Sequence, residues 1–418
     1  MTPPQSRRCF LAGASLVLPD RVVSGQTLVI EGNRIVDFVS GPRETGPDEV
    51  RVNLEGHFVV PGFIDVHVHG VAGTDTLDAG GAAVRTIAEQ LPRFGVAAFC
   101  PTSVACPPAE LDRFLEEVGR LRQTSAPQSR VLPAHIESNF INPEFRGAQP
   151  VECLRVPSGT SPNAASSGSA SAGDAPQDFT ARDILDVIDR RRADLAIVTL
   201  APEIPGGLEL TRALVAGGLR VSLGHSGATF EQAQEAIAAG ARQATHLFNR
   251  MRPMTHRDPG LVGAALASED LAVEIICDGL HVHPAVMRLA VAAKGPSRTL
   301  AITDGTAGSG LPPGSKAKIG GRPITVSDIA RLDDGTMAGS VLTMDRAFAG
   351  LITKCGFDLV QAAEMCATTP ARELGLVGHG VIAPGAIADV TVLDSRLQVV
   401  QTWVGGVRIW PPTSGFVS

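Results

Sequence analysis

Several things are missing from this chain. Its seven cysteines, at positions 9, 100, 106, 153, 277, 355 and 366, are odd in number and form no Cys-x-x-Cys pair. Neither a disulfide framework nor a zinc ribbon is therefore indicated, and a reducing cytoplasm suits them best. Positive charge is also in short supply, with 36 Lys and Arg against 43 Asp and Glu and a net charge of −7. A protein that neutralises phosphates along a nucleic acid needs a basic surface, so that class is excluded and any anionic ligand must be small and met locally. No uninterrupted apolar run reaches the roughly 18 residues that a membrane-spanning helix requires, so no membrane partner is expected. Lysine is scarcest of all, with none before Lys294.

What is present is an ordinary globular composition, 418 residues with 44% hydrophobic and 19% charged, enough for one large barrel plus a small accessory domain. Near the N-terminus, Ser6-Arg7-Arg8-Cys9-Phe10-Leu11 resembles a twin-arginine export signal and is followed by an apolar run to Leu18. No small-residue cleavage site follows, and the pattern continues instead as short strands joined by turns at Pro19-Asp20 and Glu31-Gly32-Asn33. Export is not the expected reading.

The stretch Phe63-Ile-Asp-Val-His-Val-His69 carries the most information. Side chains alternate along a strand, so His67 and His69 face the same way. Pro61-Gly62 opens the run and Gly70 closes it, which places the pair at the C-terminal end of a strand, where an α/β barrel keeps its chemistry. Seven further strands are expected, at Val96–Ser103, Val131–Glu137, Leu195–Glu203, Leu219–His225, Gln243–Phe248, Ala272–Cys277 and Thr299–Asp304. Helical segments lie between them, among them Gly80–Phe94, Ala109–Arg122, Thr180–Arg191, Leu208–Ala216 and Phe230–Ala239. Eight buried strands alternating with helices predict an α/β fold, a (β/α)8 TIM barrel over residues 61–379. Residues 1–60 and 380–418 are short β-rich runs, expected to join as one small β-sandwich. The segment 157–178 is mostly Ser, Gly, Ala and Pro, cannot bury a core and is expected to be a mobile insert.

Polar residues gather at the expected strand ends: His67 and His69, His135 and Glu137, His225, His246 and Asp304. Each alone has an innocent explanation as a solvated strand terminus. Together they converge on one mouth, and imidazole with carboxylate is what a zinc-like divalent ion takes when a position must stay open for water. The missing lysine narrows the class further. A carboxylated lysine on strand four cannot bridge two ions here, which excludes the hydantoinase and dihydroorotase pattern and leaves Glu137 as the anionic substitute.

Pro61-Gly-Phe-Ile-Asp-Val-His-Val-His-Gly70, His135-Ile-Glu-Ser-Asn-Phe-Ile-Asn-Pro143, Gly224-His-Ser226, Thr245-His-Leu-Phe-Asn249, Asp278-Gly-Leu-His-Val282, Ile302-Thr-Asp-Gly305 and Met337-Ala-Gly-Ser340 resemble the N-acetylglucosamine-6-phosphate deacetylases of the amidohydrolase superfamily. The resemblance implies that Glu137, His225 and His246 hold one metal, that Asp304 is the catalytic carboxylate, and that His67, His69, Glu137 and Asp304 can hold a second ion. One or two divalent ions, zinc first, are thus the implied cofactors. It also implies that His281 contacts the sugar, that Asn249 and Arg257 belong to a phosphate-binding loop, and that the chain forms a homodimer. The substrate would be a small anionic N-acetyl amino sugar, released as free amine and acetate. Three departures stand out: Ser138-Asn139 where the family has Gly-Pro, Gln149 where it has a histidine, and Arg250 where it has a small residue. The first and third are expected to reshape the pocket floor and phosphate site, and the second to remove an imidazole that could polarise a carbonyl. Two alternatives stay open: deacylation of another N-acyl amine, and a non-catalytic barrel used as a scaffold. His57, His256, His283 and His379 are read as structural or surface residues.

Overall fold

The computed structural model describes residues 8–40, 49–124, 126–157 and 178–412. Ser6 and Arg7 of the twin-arginine motif, and residues 158–177 of the Ser/Gly/Ala insert, lie outside the described residues.

Eight parallel strands form the barrel, in chain order Phe63–Val68, Val96–Ser103, Ala134–Glu137, Leu195–Leu200, Arg220–Leu223, Gln243–Ala244, Ala272–Ile276 and Thr299–Ile302. The eighth meets the first just beyond its own end, where Asp304 N donates to His67 O at 2.9 Å and Val68 bridges Gly305. These strands are buried on both faces, since the interior is filled with side chains and helices cover the outside. That double burial is why the runs read as continuously apolar.

The expected helices appear with small shifts of boundary. Thr180 caps Ala181–Arg190 and Thr229 caps Phe230–Ala238, each with a reciprocal capping box to the third helical residue. The segment Gly80–Phe94 divides into an α-helix, Ala83–Gln90, and a 3-10 turn, Leu91–Phe94, because Pro92 removes the amide an α-helix would need. After the eighth strand the chain adds a hairpin, Lys316–Ile319 and Arg322–Thr325, that folds toward the barrel mouth. Ile319, Ile324, Val326, Ala338 and Val341 pack there against Val104 as a separate apolar cluster.

Both chain ends build the small β-domain. Five N-terminal strands (Arg8–Val17, Val22–Glu31, Arg34–Ser40, Val50–Asn53, Phe58–Pro61) and three C-terminal ones (Val390–Leu393, Val399–Val404, Val407–Trp410) share one mixed sheet. The two sets meet where Phe58–Pro61 pairs antiparallel with Val390–Leu393. Leu11, Leu16, Leu28, Ile30, Val59, Val390 and Trp403 fill its core. The apolar run that followed Arg8 is thus spent on sheet pairing with Val22–Glu31. Among the described residues no helix is long and apolar enough to cross a membrane.

Candidate metal centre and active site

Three of the site residues adopt a backbone conformation that sequence patterning does not show. Strands five, six and eight stop at Leu223, Ala244 and Ile302, and His225, His246 and Asp304 follow with φ of +48°, +29° and +48°. The expected strand ends are therefore turns. Left-handed backbone is costly for residues with a Cβ, and such strain persists only where the surroundings over-determine it. Around His225 the restraint comes from Glu203, whose carboxylate accepts from Gly227 N at 2.6 Å, Ser226 Oγ at 2.7 Å and Asn142 Nδ2 at 2.8 Å. At the other end of the mouth Gly70 admits close packing, since a Cβ there would lie 2.4 Å from Thr74 O and 2.7 Å from Ala307 N.

The donors fall into two adjoining triads. In one, Glu137 Oε1 lies 3.1 Å from His225 Nε2 and 3.0 Å from His246 Nε2, with the two nitrogens 3.0 Å apart. In the other, His67 Nε2 and His69 Nε2 are 3.2 Å apart, at 3.4 and 3.3 Å from Asp304 Oδ1. Glu137 stands between them, its Oε1 3.5 Å from His67 and its Oε2 3.5 Å from His69. All six residues are buried.

Hydrogen bonds on the far side of the rings decide what these contacts mean. His225 Nδ1 meets Phe145 O at 2.9 Å and His67 Nδ1 meets Glu274 Oε2 at 2.9 Å, so in each neutral ring the proton sits on Nδ1. The Nε2 lone pairs then face carboxylate oxygens and one another. That arrangement is repulsive unless a cation or an added proton lies between, so the donor set fits a metal. The ionisation balance agrees. Burial alone would depress His67 and His69, but Glu274, Asp304 and Glu137 outweigh it and lift them to about 9 and about 10. Burial would likewise raise Glu137 and Asp304, yet the imidazoles hold both below the usual carboxylate range.

The other residues singled out in the sequence divide. Gln149, Asn249, Arg250 and His281 line the same pocket as the triads, with Ile319, Met337 and Gly339 from the capping segment. Gln149 Nε2 donates to Glu137 Oε2, and its Oε1 accepts from Ala105 N at 2.8 Å, so the amide is spent on holding Glu137. His281 Nδ1 meets Asp278 Oδ2 at 2.6 Å, which leaves Nε2 for a substrate. Burial would lower the His281 pKa, but the Asp278 carboxylate raises it overall. Arg250, at φ +51°, lies against Gly147 and reaches Met337 O at 3.5 Å; it has no carboxylate partner among the described residues.

Arg257 is not brought to the pocket lining. An ion pair between Arg252 and Asp258 at 2.5 Å, and a bond from Thr255 N to Asp258 O at 2.8 Å, close the loop so that residues 253–257 face solvent. Ser138 and Asn139 do not reshape the pocket floor either. Ser138 Oγ donates to Thr199 O in the fourth strand at 2.6 Å, and Asn139 Nδ2 donates to Cys106 O at 2.9 Å and Cys153 O at 2.7 Å, so both side chains are buried and spent on holding neighbouring backbone. His135 sits beneath the mouth, bonded to Val66 O at 3.1 Å and Thr199 Oγ1 at 2.7 Å, and burial beside His67 pushes it down to about 4. His283 caps the helix Pro284–Lys294, His379 meets Asp389 at 2.9 Å, and His57 reaches Glu55 O at 3.0 Å. A larger cleft, lined by Arg122, Arg130, Leu374 and Val407, lies at the opposite end of the barrel and touches none of the donors.

Among the buried polar residues that escaped the sequence reading are Glu274 in the seventh strand and Gln243 at the head of the sixth. The signal was there. A glutamate inside Ala-Val-Glu-Ile-Ile, on a strand buried on both faces, has to be paired.

A (β/α)8 barrel with buried imidazoles and carboxylates at its C-terminal mouth is the architecture of a metal-dependent amidohydrolase, and residues 209–409 match the Amidohydrolase family. The chain is 34% identical to the N-acetylglucosamine-6-phosphate deacetylase of Lysinibacillus sphaericus, over 84% of this chain and 85% of that one. It is 33% identical to the N-acetylgalactosamine-6-phosphate deacetylase of Escherichia coli O157:H7, over 89% and 93%. The solved structure of N-acetylglucosamine-6-phosphate deacetylase from Pasteurella multocida superposes with a TM-score of 0.84 at 26% identity, covering 96% of this chain and 99% of that one. The chain belongs to the N-acetylglucosamine-6-phosphate deacetylase family of amidohydrolases.

Proposed function

We propose that this chain hydrolyses the acetamide of an N-acetyl hexosamine 6-phosphate, N-acetylglucosamine 6-phosphate or its close relative, to the free amine and acetate. One observation carries the reading. Asp304 Oδ1 lies 3.3–3.4 Å from the imidazoles of His67 and His69, beside the triad of Glu137, His225 and His246, in a pocket that His281, Asn249 and Arg250 also line.

Glu137, His225 and His246 would hold one divalent ion, and His67, His69 and Asp304, with Glu137 shared, a second; zinc fits the nitrogen and oxygen donors. Such an ion, when bound, polarises the acetyl carbonyl and makes water a nucleophile near neutral pH. The chain's own residues do the rest. Asp304 takes the proton of the attacking water at its carboxylate as the C–O bond forms. It then returns that proton to the acetamide nitrogen, because an amine leaves only when protonated. The C–N bond breaks, and acetate and the free amine result. His281, its ring fixed by Asp278, would hold a sugar oxygen through Nε2, and Arg250 with Asn249 would receive the phosphate. Gln149 keeps Glu137 in place and leaves carbonyl polarisation to other groups.

The reading carries with it a homodimer in the cytoplasm, where seven buried free thiols would stay reduced. A panel of N-acetyl amino sugars, each with and without 6-phosphate, tests it by amine release. Preference for a phosphorylated hexosamine is expected, and best turnover on N-acylated amino acids would replace this substrate class with another.

A further inference from the structure

We infer that Glu274 is a positioning residue that determines whether the second cation binds, by fixing the ring of His67 and by adding buried negative charge behind it. The inference rests on the reading of the two triads given above. Glu274 lies mid-strand among Ala272, Val273, Ile275 and Ile276, all buried, and has no solvent exposure itself. A carboxylate buried there costs stability unless both oxygens are paired. Both are. Oε2 accepts from His67 Nδ1 at 2.9 Å and from His246 N at 3.2 Å, and Oε1 accepts from Gln243 Nε2 at 2.5 Å.

The bonding continues away from the pocket in one direction. Gln243 Oε1 accepts from Arg220 Nε at 2.6 Å, and Arg220 also donates to Glu373, to Oε2 at 2.5 Å and to O at 3.1 Å. A guanidinium can only donate, so Arg220 settles which end of the Gln243 amide it meets and turns the NH2 group toward Glu274. Glu274, ionised and acceptor-only, can then only accept from His67. The proton is placed on Nδ1, and the Nε2 lone pair is aimed at His69 and Asp304. A column of hydrogen bonds thus runs from Glu373 at the foot of the barrel to His67 in the triad of His67, His69 and Asp304.

No other ligand ring is backed this way among the described residues. His225 Nδ1 meets a backbone carbonyl, and the Nδ1 atoms of His69 and His246 are buried without a hydrogen-bond partner. Charge points the same way. Two divalent ions bring four positive charges, and Glu137 and Asp304 supply only two negative ones between them. Among the described residues Glu274 is the third carboxylate in contact with a ligand ring, whereas buried Asp65 accepts from the ligand residues only at the His67 backbone N, at 3.2 Å. Outer carboxylates of this kind change metal affinity by about 10–100-fold.

The test counts ions rather than turnover. Metal-free wild type and Glu274→Gln are titrated with zinc against a chromophoric chelator, with bound zinc confirmed by elemental analysis. Wild type is expected to hold two ions, and the variant to bind one of them about 10–100-fold less tightly with the other unchanged. Equal affinities in the two proteins, or equal losses at both sites, overturn the inference. A wild type that holds one ion overturns it too, while deacetylation measured in parallel on the phosphorylated sugar reports separately on the proposed function. Should the variant not fold, zinc-loaded wild type labelled with ¹⁵N-histidine decides. A slowly exchanging Nδ1–H on His67, assigned by its loss in His67→Gln, supports the inference, and a His67 protonated on Nε2 refutes it.

Discussion

At the scale of single residues, the pocket separates chemistry from recognition. Asp304→Asn keeps size but removes the proton acceptor, so kcat should fall by at least ~10²-fold while circular dichroism stays native. Unchanged turnover would take Asp304 out of the reaction. Arg250 is the cation that lines the pocket without a carboxylate partner among the described residues, so its loss should act on binding. Arg250→Ala is expected to raise KM for the phosphorylated sugar by about 10–100-fold, the ~1.5–3 kcal/mol of a charge-assisted contact, and to leave the neutral sugar nearly unaffected. Arg257→Ala should change neither if the exposed position it occupies is its working one. Asp278 and His281 add a pH dependence. His281 is raised and Asp278 lowered by their contact, against burial that opposes both charges. A raised imidazole contributes stability fully below its unfolded value near 6.5 and loses it as pH climbs through the folded value. A depressed carboxylate contributes above about 4 and loses it on acidification. The gap in melting temperature between wild type and Asp278→Asn should therefore be widest between about pH 4 and 6.5 and close at both ends. In kcat/KM, the alkaline limb should move to lower pH in the variant.

At the scale of elements, the barrel strands were legible because continuous apolar runs bounded by Gly and Pro leave few other readings. The gathering of His67, His69, Glu137, His225, His246 and Asp304 at one mouth was legible through motif and the two-residue period of His67 and His69. What the pattern could not show was backbone conformation after the strands. His225, His246 and Asp304 look like strand ends in sequence and are left-handed turns in space, because period-two alternation carries no information about φ. Nor does the phosphate-loop resemblance reveal which arginine faces inward. Arg252 pairs locally with Asp258 and carries Arg257 outward, while Arg250 turns in. Glu274 was hidden by its own context, as the single carboxylate in an otherwise apolar strand. The turn at His225 makes a test of this level. Glu203→Ala strips three donors of their acceptor, Gly227 N, Ser226 Oγ and Asn142 Nδ2, and should destabilise by about 1–3 kcal/mol. If the turn is held by Glu203, metal retention at the triad of Glu137, His225 and His246 should weaken as well. Full metal retention in a destabilised protein would mean that the left-handed turn is held from elsewhere.

At the scale of the whole molecule, the six donors come from five of the eight barrel strands: His67 and His69 from the first, Glu137 from the third, and His225, His246 and Asp304 from just past the fifth, sixth and eighth. A cation held among them therefore ties together segments that lie far apart in the chain, and the barrel closes at the same place, where Asp304 N bonds His67 O. Metal removal should accordingly be a stability event as well as a loss of activity. Without the ion, two sets of buried lone pairs face one another and must recruit protons instead. An ion present at about 100 to 1,000 times its Kd contributes about 2.7 to 4.1 kcal/mol to the folded state. In a barrel of this size that amounts to a few degrees or more in Tm. Dialysis against a chelator should abolish turnover and lower the melting temperature, and zinc should restore both together. Full activity in a preparation shown by elemental analysis to be free of metal would remove the ion from the reaction. Loss of activity without any change in Tm would show that the strands close the barrel without its help.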